Sequence, residues 1–152
     1  MSQPMSSPAD VRRTRPAFVA VLLVALGLAL AACSNGDEST VATDINEVRA
    51  SLGLSELVRV PELDVKAEAQ AERMANRGTI FHSNNLASGV SDGWASIGEN
   101  VALAGSAQDA QIALEASPGH YANMTNPAYT QVGLGVVSRN GVVYVVQVFV
   151  GR

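Results

Sequence analysis

Apolar positions change their spacing several times along this chain, and each change predicts a different element. Ala17 to Ala32 is an unbroken charge-free run of 16 residues. It is shorter than the roughly 20 residues a spanning helix needs and suits the apolar stretch of an export signal. From Ser34 to Thr43 the pattern dissolves into small polar and acidic residues, which reads as a flexible tether. Helical spacing then begins. Asp44, with Glu47 in the capping-box position, predicts a helix that carries Ile45, Val48 and Leu52 on one face and stops at Gly53. Pro61 suits a first helical position, and Leu63, Ala67, Ala71 and Met74 continue a second stripe as far as Gly78.

Between Thr79 and Gly98 no period survives, which predicts a long ordered loop of the kind usually kept for function. Ser106 and Asp109 open a third helix with Ala110, Ala113 and Leu114 on its apolar face up to Ala116. Ser117-Pro118 then starts a short turn through His120 to Met124. The tail switches to period two. Val132, Leu134 and Val136 alternate, Asn140-Gly141 marks a tight turn, and Val142 to Val150 is nearly continuous and β-branched. The expected result is a C-terminal antiparallel hairpin whose second strand is central and buried on both faces. Helices first and strands last indicate an α+β fold or a layered helix-sheet-helix domain.

Composition narrows the function. The 152 residues are 47% apolar, 16% charged and 5% aromatic, which suits one globular domain plus a short appendage. From Cys33 onward seven basic residues face thirteen acidic ones, so the body lacks the basic face that nucleic-acid binding needs. Cys33 is the one cysteine, which rules out an intrachain disulfide and a thiolate zinc cluster.

Arg12, Arg13 and Arg15 precede the apolar run, and Leu30-Ala31-Ala32-Cys33 ends it. That layout resembles the lipobox of bacterial lipoproteins. The resemblance implies that Cys33 is acylated, becomes the new N-terminus, and anchors an exported protein to the outer face of the cell membrane or in the cell envelope. Two or three acyl chains would give durable attachment where one is marginal. The chain then divides into a lipoprotein signal peptide (1–32), an acylated cysteine with a flexible tether (33–43) and a folded domain (44–152).

Candidate chemistry is concentrated in few residues. His82 and His120 are the two histidines, both at loop or helix-start positions, and Gly98 before Glu99 permits a close backbone approach to that carboxylate. Two imidazoles and one carboxylate would leave a zinc ion with an open position. The alternative is that His82, Glu99 and Asn100 simply bond loop backbones together. Motifs of zinc proteases, serine hydrolases and phosphate-binding loops are absent from the sequence.

The chain also resembles the CAP superfamily, or SCP domain, named for cysteine-rich secretory proteins, antigen 5 and pathogenesis-related protein 1. The resemblance rests on Ile45-Asn46-Glu47-Val48-Arg49 with Leu52-Gly53-Leu54, Ala67-Glu68-Ala69-Gln70-Ala71, Phe81-His82-Ser83, Gly93-Trp94, and Gly98-Glu99-Asn100-Val101-Ala102. It continues through Ser117-Pro118-Gly119-His120, Ala122-Asn123-Met124, Asn126-Pro127, Tyr129-Thr130, Gly133-Leu134-Gly135-Val136 and Gln147-Val148-Phe149. This implies an α-β-α sandwich with a cleft lined by histidines and glutamates, in some members occupied by a divalent metal. His82, Glu99 and His120 match the family positions individually. For the fourth member the candidates are Glu115 and the position of Ser117, since Leu114 stands where the family pattern has tryptophan.

The expected function is a lipid-anchored binding module at the cell envelope, taking a lipid or cell-wall ligand, or a divalent metal such as zinc, in a cleft of His82, Glu99, Asn100, Glu115 and His120. The rival is a metal-dependent, protease-like hydrolase with Glu99 as general base.

Overall fold

The Asn140-Gly141 turn sets the sheet. Asn140 (φ 54°) and Gly141 (φ 75°) both adopt the left-handed conformation, as a two-residue hairpin loop of type I′ requires. A computed structural model describes residues 20–152, with side chains from Gly36 onward. In chain order its elements are α1 (Ala20–Ser51), β1 (Val58–Arg59), α2 (Pro61–Arg77), β2 (Ser96–Ala104), α3 (Ala107–Ala116), α4 (Pro118–Met124), β3 (Gln131–Arg139) and β4 (Val142–Gly151). The strands lie in the order β1-β3-β4-β2. β4 pairs antiparallel with both β3 and β2, and β1 adds a short parallel pairing to β3. Val143 to Gly151 are all buried, so β4 is the central strand that its unbroken apolar run predicts.

Helices cover both faces. α2 sits on one, where Leu63, Ala67, Ala71 and Met74 meet Val101, Val146, Val148 and Val150. The contact is close because β3 presents glycines to the helix. A Cβ on Gly133 would run into the backbone of Leu63, and one on Gly135 into the backbone of Ala67 and Glu68. Gly78, left-handed at φ 67°, ends α2 with its N–H on the Ala75 carbonyl. On the other face Ile45 of α1, Ala110 and Leu114 of α3 and Met124 of α4 pack on Leu134, Val136, Val145 and Phe149. The result is an α+β, α-β-α sandwich, as expected.

Three expectations need correction. The first helix does not begin at Asp44: α1 runs through it, Glu38 and Val41 are buried, and Leu52 is 51% exposed. Val41, Ile45 and Arg49 continue one stripe at four-residue spacing, so the segment 34–43 is helical rather than a loose tether and the packed body starts by Glu38. Residues 96–98, read as loop, open strand β2, because β4 offers a complete ladder to which even the polar Gly98-Glu99-Asn100 stretch can pair. On α3 the buried stripe takes Gln111 where Ala113 was expected. Among the described residues no helix is long and apolar enough to cross a membrane. The signal-peptide and Cys33 acylation readings fall on residues outside those described or outside the described side chains.

Candidate functional site

Glu99 and Asn100 are consecutive on β2 and therefore point to opposite faces of the sheet. Glu99 faces the loop that follows α2. Its side chain is only 2% exposed, and it gathers that loop. The backbone N–H of Ser83 donates to Oε1 at 2.8 Å, the Ser83 hydroxyl to Oε2 at 2.6 Å, and His82 Nδ1 lies 2.8 Å from Oε1. An ionised carboxylate only accepts, so the ring nitrogen is the donor, and in the neutral ring Nε2 keeps its lone pair. The His82 side chain is 61% exposed, which turns that nitrogen toward solvent. The loop is also held from α2, where buried Gln70 donates to the Phe81 carbonyl and Arg77 lies over the Phe81 ring.

On the opposite face Asn100 belongs to a ladder of buried amides. Asn123 Nδ2 donates to Asn100 Oδ1 (2.9 Å), Asn100 Nδ2 to Gln147 Oε1 (2.9 Å), Gln147 Nε2 to Gln111 Oε1 (2.7 Å), and Gln111 Nε2 to Glu115 Oε1 (2.8 Å). Asn100, Gln111 and Gln147 are fully buried, so each bond answers the cost of burying an amide. Asn100 also donates to the His120 carbonyl at 3.0 Å, while the His120 ring turns Nδ1 to the Ser117 hydroxyl at 2.9 Å. Ser117 makes no side-chain bond to the backbone of α4, so its oxygen serves His120 in place of the cap expected of it. Gly98, one residue before Glu99, lies under Tyr129, whose hydroxyl would collide with a Cβ there.

The order of these elements is found in other proteins. A family profile described as CAP, the cysteine-rich secretory protein family, matches residues 42–149. The chain belongs to this family. An extracellular SCP-domain protein of Bacillus anthracis has a similar structure, with TM-score 0.70, 22% identity, 78% of this chain covered and 41% of that one. An outer surface protein of Borrelia burgdorferi gives 0.68, 20%, 77% and 93%, and a cysteine-rich secretory protein of Staphylococcus aureus gives 0.66, 17%, 96% and 44%. The chain thus spans about two fifths of the length of the Bacillus anthracis protein. No curated protein matches the sequence.

Within this CAP domain Glu99 and Asn100 send two of the expected cleft side chains to opposite faces of one edge strand. His82 and Glu99 come together, Asn100 meets the His120 carbonyl, and Glu115 is reached from Asn100 only through Gln147 and Gln111, while no three His, Cys, Asp or Glu side chains among the described residues form a metal-ligand group. Glu99 already receives the Ser83 N–H, the Ser83 hydroxyl and His82, and the His120 Nδ1 lies on the Ser117 hydroxyl, which leaves Nε2 of each ring outside these bonds. Ser83 donates to Glu99 rather than to an imidazole, so a Ser–His pair is not formed there. The site presents an oriented imidazole acceptor instead. Sequence reasoning missed Gln111 and did not assign Gln147 and Asn123 to the site. An amide inside the apolar β4 run was the available sign, since it needs a buried partner.

Proposed function

We propose that this CAP domain is a ligand-binding module at the cell envelope, held there by an acylated Cys33, and that His82 is the group that meets the ligand. One observation carries the reading: a buried carboxylate, Glu99, is spent on orienting an exposed imidazole. Preorganised groups of this kind favour binding, because their ordering is complete before the ligand arrives. Binding needs only this oriented group, and Ser83 and Glu99 serve to hold the loop that carries it.

Export is supported by the lipobox-like Leu30-Ala31-Ala32-Cys33 and by relatives described as extracellular or as an outer surface protein. Among the described side chains of α1 the first buried one is Glu38, so a mature chain starting at Cys33 keeps every described packing contact. The test compares small molecules retained by the native full chain with those retained by His82→Ala, using mass spectrometry. A species present in the wild type and lost in the variant is expected. Identical profiles would contradict the reading. The same spectra should show an acylated N-terminal Cys33, and an unmodified N-terminus at another residue would remove the anchor.

A further inference from the structure

A groove of about 400 Å³ lies between the flank of α2 and the loop after it, within the size range of small-molecule sites. Lys66, Arg73 and Arg77 line the helix wall, and Ser83, Asn84 and Ser88 line the loop wall. None of the three cations forms an ion pair among the described residues. The one carboxylate in the lining, Glu62, is occupied by the N–H and hydroxyl of Ser91. A body with a net acidic charge therefore gathers three of its seven cations in one groove.

These cations are held in place by neutral groups. The Gln70 carbonyl oxygen accepts from Arg73 Nε (3.0 Å) and Nη2 (2.6 Å), while its nitrogen is fixed on Phe81. Arg77 stacks over the Phe81 ring, 4.7 Å from its centroid, and Lys66 donates to the Ser88 carbonyl at 2.7 Å. Their positions are set and their charge is not cancelled. Burial lowers the pKa of Lys66, with the charge of Glu99 opposing and that of Arg73 adding to the effect, so an anion beside it would relieve a real cost.

We propose that this groove binds a polyol or sugar phosphate, with the phosphate seated among Lys66, Arg73 and Arg77 and the hydroxyls facing Ser83, Asn84 and Ser88. Arginine forks suit phosphate oxygens in pairs, and amide and hydroxyl groups suit a polyol. The groove adjoins the His82–Glu99 site through Ser83 but uses neither His82 nor Glu99, so its failure leaves the function proposed above intact.

Titration calorimetry of the full chain with glycerol phosphate, and co-sedimentation with phosphatidylglycerol vesicles against phosphatidylcholine vesicles, test this. The double variant Lys66→Gln/Arg73→Gln replaces one half-buried and one exposed cation of the groove and leaves Arg12, Arg13 and Arg15 unchanged. A loss of at least tenfold in affinity for soluble glycerol phosphate supports the proposal with a free ester as ligand. Binding confined to phosphatidylglycerol vesicles, and weakened as much by the variant, supports it with a lipid headgroup as the source. Absence of binding in both arms, or binding unchanged in the variant, overturns it. On the wild type alone, glycerol binding as well as glycerol phosphate would overturn it too.

Discussion

Arg49 shows how much a single residue can organise. It is 1% exposed and has no carboxylate partner among the described residues, and it donates to the carbonyls of Ser55 (2.8 Å), Met124 (2.8 Å), Asn126 (3.0 Å) and Tyr129 (3.3 Å). Burial pulls its pKa below the usual arginine value. Arg49→Met should lower stability by about 3 kcal/mol or more, because several buried carbonyls lose their donors together. Urea unfolding of the two proteins measures this. Glu38 works differently. With Asp64 it caps the open edge of β3: Asp64 accepts from the Leu134 N–H at 2.8 Å, Glu38 from the Val136 N–H, and Arg59 bonds both carboxylates. Burial raises the Glu38 pKa above 4.5, and Arg59 offsets this only in part. The folded state then holds the Glu38 proton more tightly than the unfolded chain does. Its contribution is complete below 4.5 and is lost as pH rises through the folded value. Denaturation midpoints from about pH 4 to about pH 7 should therefore fall more for the wild type than for Glu38→Gln.

At the scale of elements, the contact of α2 with β3 depends on missing side chains. Gly135→Ala should cost about 3 kcal/mol, the upper end for overpacking, because the obstacle is helix backbone that cannot rotate away. Gly119→Ala in α4 is the contrast: its Cβ meets nothing within 4 Å, and stability should stay level or rise by about 0.4–1 kcal/mol. Thermal melts of both variants check the pair. Elements with a strong local period were legible in the sequence. α2 carries its stripe from Pro61 to Gly78 and the hairpin carries its turn, so local preference and burial agree there. β2 was not legible, because its partner strand β4 starts far along the chain, beyond two helices and β3, and its centre is glycine, glutamate and asparagine. The early part of α1 was hidden for a related reason. A single fully apolar residue, Val41, anchors that turn, and the partner of buried Glu38 is Arg59, which no local pattern reveals.

At the scale of the molecule, the sheet sorts the chemistry. His82, Glu99, Asn100, Glu115 and His120 could all be named from sequence, yet the strand sends Glu99, with His82, to one face and Asn100, tied through amides to Glu115, to the other. One face holds the exposed imidazole and the groove beside it. The other holds a buried amide ladder that locks α3 and α4 to the sheet and joins the His120 turn to Glu115 only through intermediates. Spacing along a chain does not report which side of a strand a residue faces until the strand itself is recognised. The orientation of His82 by Glu99 is the central claim. Long-range proton–nitrogen correlation spectra of the imidazole of His82 in the full chain test it most directly. The account predicts that neutral His82 carries its proton on Nδ1, donated to Glu99, with Nε2 unprotonated, and that Glu99→Ala abolishes this preference. A proton resident on Nε2 in the wild type, or a tautomer ratio unchanged in Glu99→Ala, would contradict it.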